Sequence, residues 1–265
     1  MKIGYLGPEG SYSEIAAGRL MPEAEKVAFQ NFPLLMKALL DRKVDAIAAP
    51  IENSLNGGVL QNIDLLQSTD SVCAVRECVV HIDHRLATMA GAPLSGIKRI
   101  YSHQQALDQC ARYINANFPT ARLIATSSTA ASVAKIQTPE DAGICGEHVK
   151  AEGIVLSPEN IADEKTNFTH FLLIIRGTID PGKPTRRIYF SFTCRHAPGA
   201  LYNILKCLAD DSVNMTKIES RPIKDRPGEY RFFIEIEGDY SDPADRKTLD
   251  HVAAAANSFK ILGAY

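Results

Sequence analysis

Short hydrophobic runs alternate with helical patterns through the first half of the chain, and this alternation restricts the fold more than any other feature. Chains of this kind build sheets flanked by helices, and they bind ligands at the ends of strands. An α/β fold is therefore expected. The predicted strands cover 2–6, 46–50, 99–102, 123–125 and 142–144, and the predicted helices cover 13–20, 32–40, 104–116 and 129–136.

The pattern changes near residue 180. Residues 180–185 include two prolines and a glycine and have no hydrophobic periodicity, as is typical of a linker. The order beyond it is βαββαβ, a ferredoxin-like arrangement that serves many functions. We therefore expect one domain at 1–180 and another at 186–265. The predicted strands of the second domain cover 187–194, 214–220, 229–238 and 259–262, and its helices cover 199–209 and 243–256.

Composition excludes several classes of protein. Of the 265 residues, 45% are hydrophobic and 23% are charged, which indicates a folded globular chain. The net charge of -2 gives no positive field for nucleic acid or an anionic membrane. There is no signal-like N-terminus and no long apolar run, so we expect a cytoplasmic protein. The six cysteines are scattered without a Cys-x-x-Cys, which indicates reduced thiols and no zinc site.

Hydroxyl residues stand at three predicted strand-to-helix junctions. In the first, at 7–14, Ser11 and Glu14 form a capping-box pattern, and the absence of Gly-Lys-Ser/Thr excludes a nucleotide P-loop. The others are 102–105 and 126–131. Helix N-termini attract anions, so the three junctions together predict a cleft for a multiply anionic small molecule. The alternative is that each hydroxyl is an ordinary N-cap.

Two other segments carry polar side chains. Residues 50–59 follow a strand and combine a carboxylate, amides and two glycines, which suits either ligand binding or an ordinary β-to-α loop. His81 and His84 lie near each other but lack a third metal ligand, so we interpret them as surface positions beside a strand. No metal site is predicted.

Segments spread over nearly the whole chain match one family in order and spacing. They are 7–14, 50–59 with its Ile-Glu-Asn-Ser, 102–110, 127–131, Asn167-Phe168-Thr169-His170-Phe171, Gly199-Ala200-Leu201, Glu219-Ser220-Arg221-Pro222 and Lys260-Ile261-Leu262-Gly263. Each is weak alone, and together they are specific. In these segments the chain resembles the prephenate dehydratase family, in its monofunctional bacterial form with a C-terminal ACT regulatory domain.

The resemblance implies a two-lobed catalytic domain similar to periplasmic binding proteins. It also implies loss of carbon dioxide and the ring hydroxyl from prephenate, giving phenylpyruvate in phenylalanine biosynthesis. Aromatisation drives this reaction and no cofactor is needed. The enzyme must orient a dianion and help hydroxide to leave, which agrees with a sequence rich in neutral hydrogen-bond donors.

By the same resemblance, Thr169 is the catalytic threonine and stabilises the departing hydroxyl. The matching polar partners are Glu52, Asn53, Ser102 and Gln109. The matching substrate contacts are Ser11, Ser127, Ser128, Thr129, Asn167, His170 and Phe171. The family usually has Thr-Arg-Phe where this chain has Thr169-His170-Phe171. Either that arginine is structural, or His170 as a cation or another basic residue meets the substrate's charge.

Regulation is implied by the second domain, where phenylalanine would bind between paired ACT domains and inhibit. The expected binding residues are Gly199, Ala200, Leu201, Asn214, Glu219, Ser220, Arg221 and Pro222. A homodimer or homotetramer is expected by analogy. Two alternatives stay open: an arogenate dehydratase, which acts on the transaminated analogue of prephenate, and a non-catalytic binding protein that senses amino acids.

Overall fold

The structure is a computed structural model that describes residues 1–224, 226 and 228–265. The strands are β1 (Lys2–Leu6), β2 (Glu25–Phe29), β3 (Ala46–Asn53), β4 (Gly57–Gly58), β5 (Val72–His81), β6 (His84–Met89), β7 (Arg99–Ser102), β8 (Arg122–Ala125), β9 (Asp141–Gly146), β10 (Ile154–Leu156), β11 (Phe168–Arg176), β12 (Arg187–Thr193), β13 (Met215–Pro222), β14 (Tyr230–Glu237) and β15 (Ser258–Ala264). The helices are α1 (Tyr12–Leu20), α2 (Phe32–Leu40), α3 (Leu60–Ser68), α4 (Gln104–Gln109), α5 (Ala111–Asn117), α6 (Ala200–Asp210) and α7 (Pro243–Ala255), with 3₁₀ helices at Leu94–Gly96 and Ala130–Lys135.

The predicted α/β class is confirmed: helices and strands alternate, and the strands form two sheets. By packing, the chain divides into a first unit of residues 1–57 and 78–171 and a second unit of 58–77 and 172–265. This division differs from the expected domains at residues 58–77 and 172–180, and those domain limits stay a prediction. No helix of the described ranges is long and apolar enough to cross a membrane.

One sheet of the first unit is built around β1. Strands β2 and β3 pair with it in parallel, one on each side, and buried side chains such as Ile3 and Ile47 form its core. On the far side of β3 lies β11, and the backbone N–H of Ser54 donates to the carbonyl of Phe168 at 2.9 Å. This pairing brings the end of β3 beside the start of β11.

The other sheet of the first unit has the strand order β10-β6-β9-β7-β8. The helix predicted at 104–116 is in fact two helices, because the chain bends at Cys110, whose side chain is fully buried in the core below. The helix predicted at 129–136 is a 3₁₀ helix. Ser128 Oγ accepts from the N–H of Ala131 and Ser132 Oγ donates to the carbonyl of Thr129, and such local bonds favour tight turns over an α-helix.

Asp141 is the first residue of β9, and its carboxylate links this strand to β7. Its carboxylate accepts from Arg99 Nε at 2.6 Å, from Thr138 N and Oγ1 at 2.9 Å each, and from the N–H of Gln137 at 3.1 Å. Burial by itself raises the pKa of Asp141, but the hydrogen bonds from Arg99, Thr138 and Gln137 outweigh it and lower the pKa to about 2. The ionised carboxylate is therefore a structural group.

The second unit contains four antiparallel strands in the order β13-β14-β12-β15, and elements β12 to β15 follow one another as βαββαβ. Strand β15 also pairs in parallel with β5, at Gly263 and Ala74. A Cβ at Gly263 would lie 2.5 Å from the Cβ of Ala74, so this approach requires glycine. Helix α3 belongs to this unit, and its Asp64 binds Arg221 of β13 through two oxygens at 2.6 and 3.3 Å.

Candidate active site

Asn53, at the end of β3, is the centre of a series of hydrogen-bonded side-chain amides. Its nitrogen donates to Asn167 Oδ1 at 2.8 Å, to Thr169 Oγ1 at 3.0 Å and to the carbonyl of Phe168 at 3.2 Å. Its oxygen accepts from the backbone N–H groups two and three residues further along, at 3.1 and 3.2 Å. The amide is buried and held from both ends, so its orientation is fixed.

The series continues through Asn167 to Gln109. Asn167 is 1% exposed and donates from Nδ2 to Gln109 Oε1 at 3.1 Å. Gln109, the last residue of α4, donates from Nε2 to Asn56 Oδ1 at 3.1 Å. Gln105, one turn earlier on α4, donates to the same Asn56 oxygen at 2.7 Å. Helix α4 therefore holds the loop that follows β3.

Thr169 stands at the other end of this series. Within the described ranges, the amide of Asn53 is the one side-chain partner of Thr169 Oγ1, and it is the donor in that bond. The hydroxyl proton must point away from the Asn53 amide, and Thr169 is partly accessible at 9% exposure. The geometry leaves an oriented O–H donor free for a bound molecule.

An open cleft of about 520 Å³ lies at the Gln109 end of the series. It is lined by Leu55, Asn56, His103, Gln104, Gln105, Asp108 and Gln109. Such a cleft suits a small polar molecule, because several amides converge on one concave surface.

The turn at 7–14 has the predicted N-cap. Ser11 Oγ accepts from the N–H of Glu14 at 3.3 Å and donates to the carbonyl of Leu6 at 2.8 Å. The carboxylate of Glu14 accepts from the N–H of Gly10 at 2.7 Å. In a standard capping box it would accept from the N–H of the N-cap residue, which here is Ser11. Ser11 is therefore engaged in the turn, and its role as a substrate contact stays a prediction.

The other predicted hydroxyls lie outside the amide series. Ser102 is fully buried, and its Oγ donates to the carbonyl of Ile144 at 2.7 Å. Ser127, Ser128 and Thr129 immediately precede the 3₁₀ helix, where Ser128 Oγ acts as a cap. Within the part of the chain that the structure describes, no hydrogen bond joins these hydroxyls to Asn53 or Thr169.

The remaining predicted site residues belong to the two neighbouring strands. Glu52 precedes Asn53 in β3 and is half-buried, as is His170, which follows Thr169 in β11. Phe171 is 2% exposed and lies in the core. Their predicted roles are not decided by these positions.

The interpretation of His84 as a surface residue is wrong. His84 begins β6, is 3% exposed, and its Nε2 lies 2.9 Å from Gln109 Oε1. Its neighbour His81, at the end of β5, is exposed as predicted. None of the predicted strands includes 81–84, so no alternation of exposed and buried positions was available to show that His84 faces inward.

Two further residues of the site were missed. Asn56 and Gln105 both take part in the amide series. Asn56 lies in the segment 50–59, for which ligand binding and an ordinary β-to-α loop were both left open, and Asn56 itself was not singled out. Gln105 lies one helical turn from Gln109, and that spacing is a signal that could have placed both on one face.

The predicted regulatory residues all lie in the second unit. Gly199 precedes α6 with φ of 78°, a conformation that favours glycine. Asn214 precedes β13 and its Nδ2 donates to Glu237 at 3.0 Å. Ala200 and Leu201 open α6, and Glu219, Ser220, Arg221 and Pro222 end β13. Arg221 is already bound to Asp64, which raises the pKa of its guanidinium.

No group of three or more His, Cys, Asp or Glu side chains in the described part of the chain is arranged to hold a metal ion. The amide series itself presents neutral donors and acceptors around one threonine hydroxyl. Such an arrangement can orient a polar molecule and donate a hydrogen bond to a leaving oxygen.

The family model and the curated relatives agree on one class, the dehydratases. The family model "Prephenate dehydratase" matches residues 3–178. The bifunctional chorismate mutase/prephenate dehydratase of Neisseria gonorrhoeae is 33% identical over 272 residues, which span 100% of this chain and 74% of that protein. The chain belongs to the prephenate dehydratase family, and the sequence resemblance is confirmed. Membership makes it a carbon–oxygen lyase.

Solved structures support the same fold. The prephenate dehydratase from Arthrobacter aurescens, solved in complex with L-Phe, has a TM-score of 0.90 at 29% identity and covers 100% of this chain and 90% of its own. A protein named GqqA, described as a novel type of quorum quenching acylase, has a TM-score of 0.86 at 27% identity, with 100% and 97% covered. The fold therefore occurs with more than one described activity, and the site must decide the chemistry.

Proposed function

We propose that the chain converts prephenate to phenylpyruvate, with Thr169 as the hydrogen-bond donor to the departing ring hydroxyl. The observation that carries this proposal is the bond from Asn53 to Thr169 Oγ1 at 3.0 Å, in a chain of this family. Because Oγ1 accepts from an amide, its own proton is turned outward and the hydroxyl is a better donor.

The reaction needs little more than orientation and help for the leaving group. The electrons of the bond to the ring carboxylate form a new ring double bond as carbon dioxide leaves, and the C4 hydroxyl departs with its bonding pair. Thr169 stabilises that hydroxide by a hydrogen bond, and the hydroxide takes one proton from solution and leaves as water. Prephenate and one proton therefore give phenylpyruvate, carbon dioxide and water. An alcohol is a weak acid, so the threonine contributes by a strong hydrogen bond that develops in the transition state.

Neutral amides suit this chemistry. Asn53, Asn167 and Gln109 are oriented by one another, so they need no reorganisation when charge moves across the ring. The substrate's two carboxylates would be met by helix N-termini such as the turn at 7–14, together with His170 in its cationic form or another basic residue. Glu52, Ser102 and residues 127–129 complete the proposed site.

We also propose the finer architecture that family membership suggests: a two-lobed catalytic domain at 1–180 and an ACT domain at 186–265 that binds phenylalanine. The two sheets of the first unit support two lobes, and the βαββαβ order of residues 187–264 supports the ACT assignment. The relative solved with L-Phe supports a phenylalanine site in this chain, and the sequence resemblance is what assigns that site to Gly199–Leu201 and Glu219–Pro222. A homodimer or homotetramer would complete that site.

The experiment mixes the purified chain with prephenate at neutral pH and follows phenylpyruvate, with and without millimolar phenylalanine. Arogenate is run in parallel. We expect turnover of prephenate that phenylalanine suppresses. Turnover of arogenate alone would contradict the substrate, and turnover that phenylalanine does not change would contradict the regulatory proposal. Phenylalanine binding without turnover of either substrate would favour an amino-acid sensor.

A further inference from the structure

His84 is a buried imidazole at the edge of the amide series. It is 3% exposed, and its Nε2 lies 2.9 Å from Gln109 Oε1. Its other ring nitrogen, Nδ1, is fully buried and has no hydrogen-bond partner among the residues that the structure describes. The ring of His84 therefore makes one hydrogen bond, and its partner, Gln109, is a residue of the proposed site.

The neighbours of Gln109 determine which nitrogen of His84 carries the proton. Gln109 Oε1 already accepts from Asn167 Nδ2, and Gln109 Nε2 already donates to Asn56. The atom facing His84 is thus an oxygen, which requires an N–H on His84 Nε2. A neutral ring then has no proton on Nδ1, so no donor is left unpaired in the core.

Charge on this ring is disfavoured. Burial lowers the pKa of His84, against smaller opposing effects of the Gln109 hydrogen bond and the neighbouring Asp83 carboxylate. Protonation would place an N–H on the buried and unpartnered Nδ1. The neutral form with its proton on Nε2 is the one that the packing favours.

We propose that His84 is a positioning residue for the dehydratase site, acting through Gln109. This inference rests on the proposed function. The Nε2–H of His84 and the amide of Asn167 both point at one oxygen and so fix the Gln109 amide plane. If that amide turned over, its NH₂ would face two donors, and its oxygen would face the Asn56 oxygen that Gln109 now binds. With its orientation fixed, Gln109 holds Asn56 Oδ1 through its NH₂, and both residues line the cleft.

Two substitutions separate donation from simple packing. His84→Gln places an amide N–H close to the position of Nε2, whereas His84→Met fills similar volume without a donor. We expect His84→Met to lower kcat about tenfold with little change in KM, because a neutral hydrogen bond that orients a group is worth about that factor. His84→Gln is expected to recover kcat to within about threefold of the wild-type value.

A double variant tests whether His84 acts through Gln109. If it does, His84→Met adds no further loss once Gln109→Met is present. A role confined to packing would instead lower kcat by the same factor in both backgrounds and would not be rescued by His84→Gln. Either of those results overturns the proposal. Thermal unfolding of each variant shows whether it is folded.

An assay-independent measurement is the ¹⁵N NMR spectrum of the histidines, with His84 assigned from the spectrum of His84→Gln. We expect the neutral ring with its proton on Nε2 at neutral pH. A proton on Nδ1, or a cationic ring, would overturn the proposal even in an active enzyme. Failure of the wild-type chain to turn over prephenate would instead contradict the proposed function, and the tautomer would still decide the orientation of Gln109.

Discussion

Thr169→Val removes one hydroxyl and keeps the branched shape of the side chain. The cost to folding is small, because the Asn53 amide has two N–H protons and three acceptors. Without Thr169 Oγ1, it still donates to Asn167 Oδ1 at 2.8 Å and to the carbonyl of Phe168 at 3.2 Å. We expect the free energy of unfolding to fall by no more than about 1 kcal/mol, the net worth of one hydrogen bond.

The cost to catalysis is much larger. On the proposed assignment, Thr169 Oγ1 donates to an oxygen that gains charge only as it leaves. Removing one such donor lowers kcat about 10²- to 10³-fold, which corresponds to about 2.7–4 kcal/mol of transition-state stabilisation. Because the interaction is made in the transition state, KM is expected to stay within about threefold of wild type.

The assay follows phenylpyruvate under saturating prephenate, beside urea unfolding of the same preparations. Thr169→Ser is the matched control, since it keeps an oxygen within reach of Asn53 Nδ2, and it is expected to keep most of the activity. If folded Thr169→Val turned over prephenate at close to the wild-type rate, the assignment of Thr169 would be refuted.

Other substitutions test interactions that stabilise the fold. Asp141→Asn is expected to lose about 2 kcal/mol of unfolding free energy at pH 7, which matches a pKa lowered from 3.8 to about 2. That loss should shrink as the pH falls from 3.8 to about 2, because the wild-type carboxylate is then increasingly protonated. An equal deficit at pH 2 and pH 7 in urea unfolding would contradict it. Gly263→Ala is expected to lower unfolding free energy by about 1–3 kcal/mol, and Ala74→Gly in the same chain should recover part of it, measured by thermal unfolding. Asp64→Asn, which breaks a half-exposed ion pair with Arg221, should cost at most about 1 kcal/mol and lose that effect in molar salt, as judged by urea unfolding with and without NaCl.

The local sequence pattern was sufficient to predict the limits of elements whose hydrophobic periodicity agrees with the residues at their ends. Helix α2 has the predicted limits 32–40, with Asn31 as its N-cap and a proline in its first turn, and β7 has the predicted limits 99–102. The prediction failed where tertiary packing intervened. Helix α4 ends at Cys110, whose side chain is fully buried, and no signal in 104–116 marks that break.

The candidate active site also depends on tertiary structure that the local sequence pattern does not predict. Asn53 and Thr169 are 116 residues apart and meet because β3 and β11 are neighbours. Strand order is a long-range property that local periodicity does not encode, so these two residues were grouped by family resemblance alone. The resemblance named Asn53, Asn167, Gln109 and Thr169, and these four are within hydrogen-bond distance in series. Their catalytic roles stay predictions.

The direction of one hydrogen bond separates this chemistry from acyl transfer, an activity described for the similarly folded GqqA. A nucleophilic hydroxyl needs a base that accepts its proton. At Thr169 the partner is an amide N–H that donates to Oγ1, so it draws electron density from the oxygen and strengthens the O–H as a donor. Asn53 cannot accept that proton through its nitrogen, and its oxygen is engaged by backbone N–H groups. The polarity of this pair favours stabilising a leaving hydroxide over attacking a carbonyl.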